Sequence, residues 1–284
     1  MFSGLVFTLW MATLELIADC TIIDLTHPLA PDSIVWPGFP RFNRTTVLAQ
    51  VNDQNVWVEA GAFSTGEHGG THIDAPRHFN RQGFDLNDLP IDLTIADGVM
   101  IDVKGEAVTN HDYVLSIAKI QEWEKQHGAI PTAGAVIVNS GWSTRWPDPH
   151  QFFNTNATTN QSTFHYPTIS KEAAQWLVTN RNLKMLGLDV TGPDSPRDSA
   201  MPVHVLLLSR NIVIMENLLI PDTLPARGFR VHAAPIKIVG GTGVQTRIYA
   251  MLYKGNSSEK LQCHVVYLLV LWLCLHICRR YLHR

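Results

Sequence analysis

One run of eleven residues constrains this chain more than any other: His68-Gly-Gly-Thr-His72-Ile-Asp74-Ala-Pro76-Arg-His78. It holds three imidazoles and a carboxylate, side chains that ligate divalent metals and move protons. Two glycines and a proline argue against a helix, so the spacing reads as strand. Side chains alternate along a strand, which puts positions 68, 72 and 74 on one face. Pro76 then ends regular pairing and lets the chain turn His78 back toward that face. The run predicts three convergent ligands with a general base beside them. A single histidine in a strand is usually a satisfied polar residue; three with an aspartate in so short a span favour metal.

A second cluster lies downstream. His204 precedes the apolar run Val205–Leu208, and Glu216 closes an expected strand over Ile212–Met215. Burying either group without a partner is costly, and a metal ion would compensate both. Pairing of Glu216 with Arg210 or Arg247 is the alternative. Trp36, Phe39, Phe63 and Trp142 offer an aromatic wall for a substrate, or else core packing. Gly240-Gly-Thr-Gly243 lacks the lysine of a phosphate-binding loop and reads as a tight turn before the last strand. His27 receives no role, and His111, His127, His150 and His165 are expected to face solvent.

The remaining sequence sets the frame. With 284 residues, 45% hydrophobic and 17% charged, the chain is long enough for one large domain or two small ones. A net charge of −3 without a basic run leaves no footprint for nucleic acid. Short β-branched runs predict strands at 21–25, 56–60, 99–103, 135–139, 185–189, 212–215 and 248–252. Helical spacing appears over 111–127 and over 170–180, the latter capped by Ser170. The expected fold class is mixed α/β, rich in strands. No cysteine lies between Cys20 and Cys263, which excludes thiolate ligands and a cysteine nucleophile from the body.

The two ends differ from that body. Residues 1–19 read as a signal peptide or, alternatively, a buried apolar segment. Residues 261–284 contain an apolar run followed by Arg279-Arg280. This tail is a candidate membrane anchor, with a lipid-anchor signal or a packed helix as alternatives. Sequons at Asn43, Asn156, Asn160 and Asn256 join the two ends in favouring the secretory pathway, extracellular or membrane-anchored. Cys20 and Cys263 are a candidate pair if the two ends meet.

The run His68-x-Gly-Thr-His72-x-Asp74-x-Pro76-x-His78 resembles the signature of the cyclase family of metal-dependent hydrolases. Bacterial kynurenine formamidase and isatin hydrolase are members of that family. Weaker matches fall in the family's order from Thr21 to Tyr253. They are Asp24-Leu-Thr-His-Pro-Leu29, Trp36-Pro-Gly38, Ser140-Gly-Trp142, Gly187-Leu-Asp189, Glu216-Asn217-Leu218 and Gly240-Gly-Thr-Gly243. The resemblance implies a swivelling β/β/α single domain over 20–254 and a homo-oligomer. It implies that His68, His72 and Asp74 hold a first metal ion and that Asp74, His204 and Glu216 hold a second in binuclear members. The ions would be Zn2+ or Mn2+, one or two per site, and His78 would be the catalytic base. The implied activity is hydrolysis of a small aromatic amide by metal-activated water. N-formyl-L-kynurenine, the arylformamidase substrate, stands first. A cyclic amide of the isatin type, an ester, and a non-catalytic membrane-tethered metal-binding scaffold are the alternatives.

Overall fold

The computed structural model describes residues 20–253. The expected signal peptide, the apolar tail, the Cys20–Cys263 pair and the sequon at Asn256 lie outside the described residues. Among the described residues no helix is long and apolar enough to cross a membrane. The body discussed below is the compact unit Ile22–Met251.

Four runs of apolar residues form parallel strands at its centre: β5 (Ile95–Asp102), β7 (Ala135–Asn139), β9 (Met185–Leu188) and β10 (Val213–Glu216). β7, β9 and β10 are buried throughout, and β5 is buried from Gly98 to Ile101, which explains why these segments read as continuous apolar runs rather than alternating ones. Parallel neighbours need crossover connections, and five helices supply them. These are α1 (Lys104–Thr109), α2 (Ile117–His127), α3 (Pro149–Phe152), α4 (Lys171–Arg181) and α5 (Pro202–Leu208).

Antiparallel strands extend both sides of this centre. With β1 (Cys20–Asp24), β4 (His72–Asp74), β11 (Arg227–His232), β12 (Gly243–Gln245) and β13 (Tyr249–Tyr253), the nine-stranded order is β1-β13-β11-β5-β7-β9-β10-β4-β12. The strand-rich mixed α/β fold expected from the sequence is the fold observed. Two further pairs stand apart. β6 (Val114–Leu115) pairs with β8 (Thr168–Ile169), and β2 (Asn43–Val51) forms an exposed ribbon with β3 (Trp57–Ser64).

Several boundaries differ from expectation. The helix expected over 111–127 begins only at Ile117, because Val114 and Leu115 pair with β8 and Ser116 caps the helix by accepting from the Lys119 amide. The strand expected through His68 is confined to His72–Asp74, since Gly70 takes a left-handed φ of +66°. Glu216 pairs with neither arginine: Arg247 bonds Asp24 at 2.6 and 2.9 Å, and Arg210 contacts Gln175. Of the four histidines expected in solvent only His150 is exposed. His111 contacts Asn154 at 2.8 Å and His165 contacts Asp112 at 2.7 Å, while His127 tilts against Trp123. Asn43, Asn156 and Asn160 are all exposed.

Two separated motifs are joined by one carboxylate. Asp189, just past β9, accepts from the Ser140 amide and hydroxyl at 3.1 and 2.6 Å and from the Trp142 amide at 2.7 Å. Burial raises its pKa, and those donors oppose the rise. Asp189→Ala would strand several buried donors. It is expected to cost on the order of 3 kcal/mol in urea denaturation, with Ser140→Ala costing about 1 kcal/mol.

His27 is buried, stacks on Trp146 at 4.5 Å, and has no partner for Nε2. Burial lowers its pKa to about 4. The folded state therefore holds it neutral, while the unfolded chain takes up a proton near ~6.5. Its contribution to stability is present above that value and fades as pH falls from ~6.5 to about 4. His27→Phe is expected to flatten the stability-versus-pH curve in that window, as measured by thermal melts at fixed ionic strength.

Candidate active site

The register at one end of the sheet assembles the site. β4 lies between β10 and β12, antiparallel to both. His72 stands opposite Glu216, and Asp74 stands opposite Ile214 on one side and Gly243 on the other. Directly opposed residues share a face, so His72 and Glu216 meet across the pair, and Asp74 joins them two residues along β4. His68 approaches on the preceding loop. His204 arrives from α5, whose first turn lies against the turn that follows Asp74.

The five side chains converge on one buried carboxylate. Asp74 Oδ1 lies 2.7 Å from His68 Nδ1 and 3.4 Å from His72 Nε2. Asp74 Oδ2 lies 3.6 Å from His204 Nε2. Glu216 closes the group, 3.5 Å from His72 Nε2 and 3.2 Å from His204 Nε2. The structure brings together His68, His72, Asp74, His204 and Glu216, the five residues that the sequence marked as candidate ligands. His78 joins them from the single turn Pro76–His78, its ring stacked on that of His68 at 3.8 Å.

This arrangement fits a cation. His72 Nε2 and Asp74 Oδ2 are buried with no hydrogen-bond partner, a cost of roughly 1–3 kcal/mol each unless something fills the gap. Each of three imidazoles is bonded outward on one nitrogen and turns the other toward Asp74. His72 Nδ1 donates to Gly70 O at 2.9 Å, His204 Nδ1 donates to Asp194 Oδ2 at 2.7 Å, and His68 Nε2 contacts Thr242 Oγ1 at 3.0 Å. Two groups of donor atoms lie close enough to share an ion, one around His68, Asp74 and His78 and one around His72, Asp74 and Glu216.

The electrostatics point the same way. Burial opposes charge on His72, yet Asp74 and Glu216 outweigh it and raise its pKa to about 9. Burial likewise opposes charge on His204, but Asp194 and Glu216 raise it to about 10. Asp74 is held well below the usual carboxylate range, its burial overcome by His68 and His72. His78 differs: burial lowers its pKa to about 4, with Asp74 opposing only in part. The cluster draws positive charge to its centre and keeps His78, at its margin, neutral.

A cavity of about 200 Å³ opens over this centre, walled by Trp36, Phe39, Phe79 and Tyr166. Two of the four aromatic residues expected there belong to it, Trp36 and Phe39. Phe63 instead lies on the exposed ribbon, and Trp142 is buried in the core with its indole donating to Phe152 O at 2.7 Å.

The family model described as "Putative cyclase" matches residues 23–195. The chain belongs to the cyclase family. Isatin hydrolase of Roseibium aggregatum is 29% identical over 251 residues, covering 83% of this chain and 93% of that protein. Kynurenine formamidase of Salinibacter ruber is 27% identical over 229 residues, covering 80% and 95%. Among solved structures, isatin hydrolase A from Labrenzia aggregata bound to benzyl benzoate matches with a TM-score of 0.76 at 30% identity, covering 87% of this chain and 100% of that one.

The family model's match ends at residue 195, before His204 and Glu216, and the fold brings those two to the site. Sequence reasoning did not find Asp194, Thr242, Phe79 or Tyr166. Asp194 sits in a loop and acts on α5 from outside, accepting from the Val203 and His204 amides at 2.7 and 2.9 Å as well as from the His204 ring. No periodicity marks such a residue. Gly240-Gly-Thr-Gly243 precedes β12 rather than the last strand, and its role is spatial. A Cβ at Gly243 would lie 2.7 Å from His68 Nδ1. Gly243→Ala is therefore expected to push the His68 ring off Asp74. Urea denaturation should register a loss of about 1–3 kcal/mol, and the His68 ring resonances should move in NMR spectra.

Proposed function

We propose that the chain is a metal-dependent hydrolase that cleaves the amide bond between a carbonyl and an aromatic nitrogen. One observation carries this reading: a buried cluster of three histidines and two carboxylates opens directly into an aromatic-walled cavity. The cyclic amide isatin is the first substrate to try, supported by the isatin hydrolase relatives. N-formylkynurenine is the second reading, supported by the kynurenine formamidase relative. Both present an aromatic ring of a size for the space between Trp36, Phe39 and Phe79.

His68, His72 and Asp74 would hold one divalent ion, Zn2+ or Mn2+, and Asp74, His204 and Glu216 have the donor set for a second. Such an ion supplies a water acidified toward neutral pH and a Lewis acid for the carbonyl oxygen. The chain's own residues do the rest. Trp36, Phe39 and Phe79 stack on the substrate ring and exclude water from around it. His78 is neutral, lines the cavity and is held by its stack on His68. It takes the proton of the attacking water and delivers it to the departing nitrogen as the carbon–nitrogen bond breaks. Water's oxygen ends on the carbonyl carbon, leaving a carboxylic acid and an amine.

Purified protein is expected to hydrolyse isatin or N-formylkynurenine and to lose that activity on dialysis against a chelator. His78→Ala should lower turnover about 10²–10⁴-fold with metal content unchanged by elemental analysis. His72→Ala and Asp74→Ala should each lose the metal. Bound metal with no hydrolysis of any amide, lactam or ester would instead favour a non-catalytic scaffold.

A further inference from the structure

The three inward-facing histidines do not have equivalent outward partners. His72 bonds a backbone carbonyl and His204 bonds a carboxylate, and both of these can only accept. Either one holds a hydrogen on the outward nitrogen and makes the inward nitrogen the one that would meet a metal ion. His68 instead faces the hydroxyl of Thr242, which can donate or accept. Its orientation needs a third group to decide it.

Glu67 is that group. The Thr242 hydroxyl lies 2.5 Å from Glu67 Oε2, and the Thr242 amide donates to the same oxygen at 2.9 Å. A hydroxyl has one hydrogen, and the short contact to this doubly bonded acceptor uses it. Thr242 Oγ1 is left with lone pairs only, so His68 Nε2 must be the donor across their 3.0 Å contact; Nδ1 meets Asp74 Oδ1 at 2.7 Å, a contact in which it too donates and which a metal ion on Nδ1 would replace. The direction of the chain is then fixed from His68 to Thr242 to Glu67. The Ala75 amide donates to Thr242 O at 2.8 Å, which ties this threonine to the end of β4.

We propose that Glu67, acting through Thr242, is a positioning residue that sets the hydrogen of His68 on Nε2 and directs Nδ1 at Asp74 as a metal ligand. Its consequence for metal affinity rests on the reading of the cluster as a metal centre; the direction of the hydrogen bonds does not. Glu67→Gln can reverse the chain, because its amide group donates to Thr242 and frees that hydroxyl to donate to His68. Thr242→Val removes the link while keeping the shape. Thr242→Ser restores the hydroxyl.

The test uses the full chain with histidine labelled in 15N. The dissociation constant for Zn2+ alone is measured by titration into metal-free protein, and the ring nitrogens of His68 are followed by NMR. Thr242→Val and Glu67→Gln are expected to weaken Zn2+ binding about 10–100-fold, and Thr242→Ser to stay near the wild type. Zinc-loaded wild type should carry the His68 hydrogen on Nε2. A hydrogen on Nδ1 in that state, unchanged affinity in Thr242→Val, or a Thr242→Ser variant as weak as Thr242→Val would each overturn the assignment. If the wild type binds no zinc, the metal reading fails and the metal-free spectra decide the relay. A protected Nε2 hydrogen in wild type and Thr242→Ser, lost in Thr242→Val, supports it; its absence from wild type overturns it.

Discussion

Asp74 is a carboxylate enclosed by protein on every side, at the middle strand of a three-strand register, and the rest of the site is arranged around it. A buried carboxylate without compensation is among the most costly groups a fold can contain. Here compensation comes from rings on three different elements: His68 from a loop, His72 from β4 and His204 from α5. Glu216 adds a second negative group from β10 and leaves the cluster short of positive charge. The raised pKa values of His72 and His204, about 9 and about 10, are the signature of that deficit. A divalent cation at the centre answers the same need without the imidazoles having to carry protons.

The outward contacts turn this electrostatic need into geometry. Asp194 holds α5 by its first amides and the His204 ring by Nδ1, so one side chain fixes both a helix and a ring of the cluster. Gly70 O accepts from His72 Nδ1 and from Asn217 Nδ2 at 2.9 Å each, and Asn217 O in turn accepts from Thr71 Oγ1 at 2.6 Å. Asn217 follows Glu216 directly, so the strand that supplies Glu216 also fixes the loop that aims His72. Groups held this way need little rearrangement when charge develops in front of them.

The parts of this design legible in the sequence were those with local spacing. His68 to His78 fall within eleven residues; the alternation of β4 groups His72 with Asp74, while His68 joins from the loop before it and His78 from the turn at Pro76. The central strands were visible because runs buried on both faces are continuously apolar. β2, β11 and β12 were not, because an exposed ribbon, a half-exposed strand and a three-residue edge strand carry no apolar run. Thr242 and Asp194 escaped for a different reason. Thr242 reaches His68 across 174 residues that only the strand order closes, Asp194 acts within its own loop ten residues before His204, and a lone threonine or aspartate in a loop has many structural uses. Phe63 and Trp142 show the converse, since aromatic residues near a motif in sequence are placed by strand register and helix packing, not by proximity along the chain.

The division between sheet and loop bears on how far chemistry and substrate are specified together. His72, Asp74 and Glu216 project from paired strands, where a shift of one residue would turn every side chain to the opposite face. Such positions resist change. The walls of the cavity are built otherwise. Trp36 and Phe39 lie on the stretch leading into the exposed β2–β3 ribbon, Phe79 caps a single turn, and Met201 holds a left-handed φ of +44° just before α5. Loops can be recut without disturbing the register that holds the centre. A lactam and a formamide demand the same attack on a carbonyl and the same proton for the nitrogen, and they differ in the shape of what surrounds that bond. On this scaffold the candidate centre rests largely on the sheet and the cavity walls on loops, so a change in the shape of the cavity need not disturb the centre.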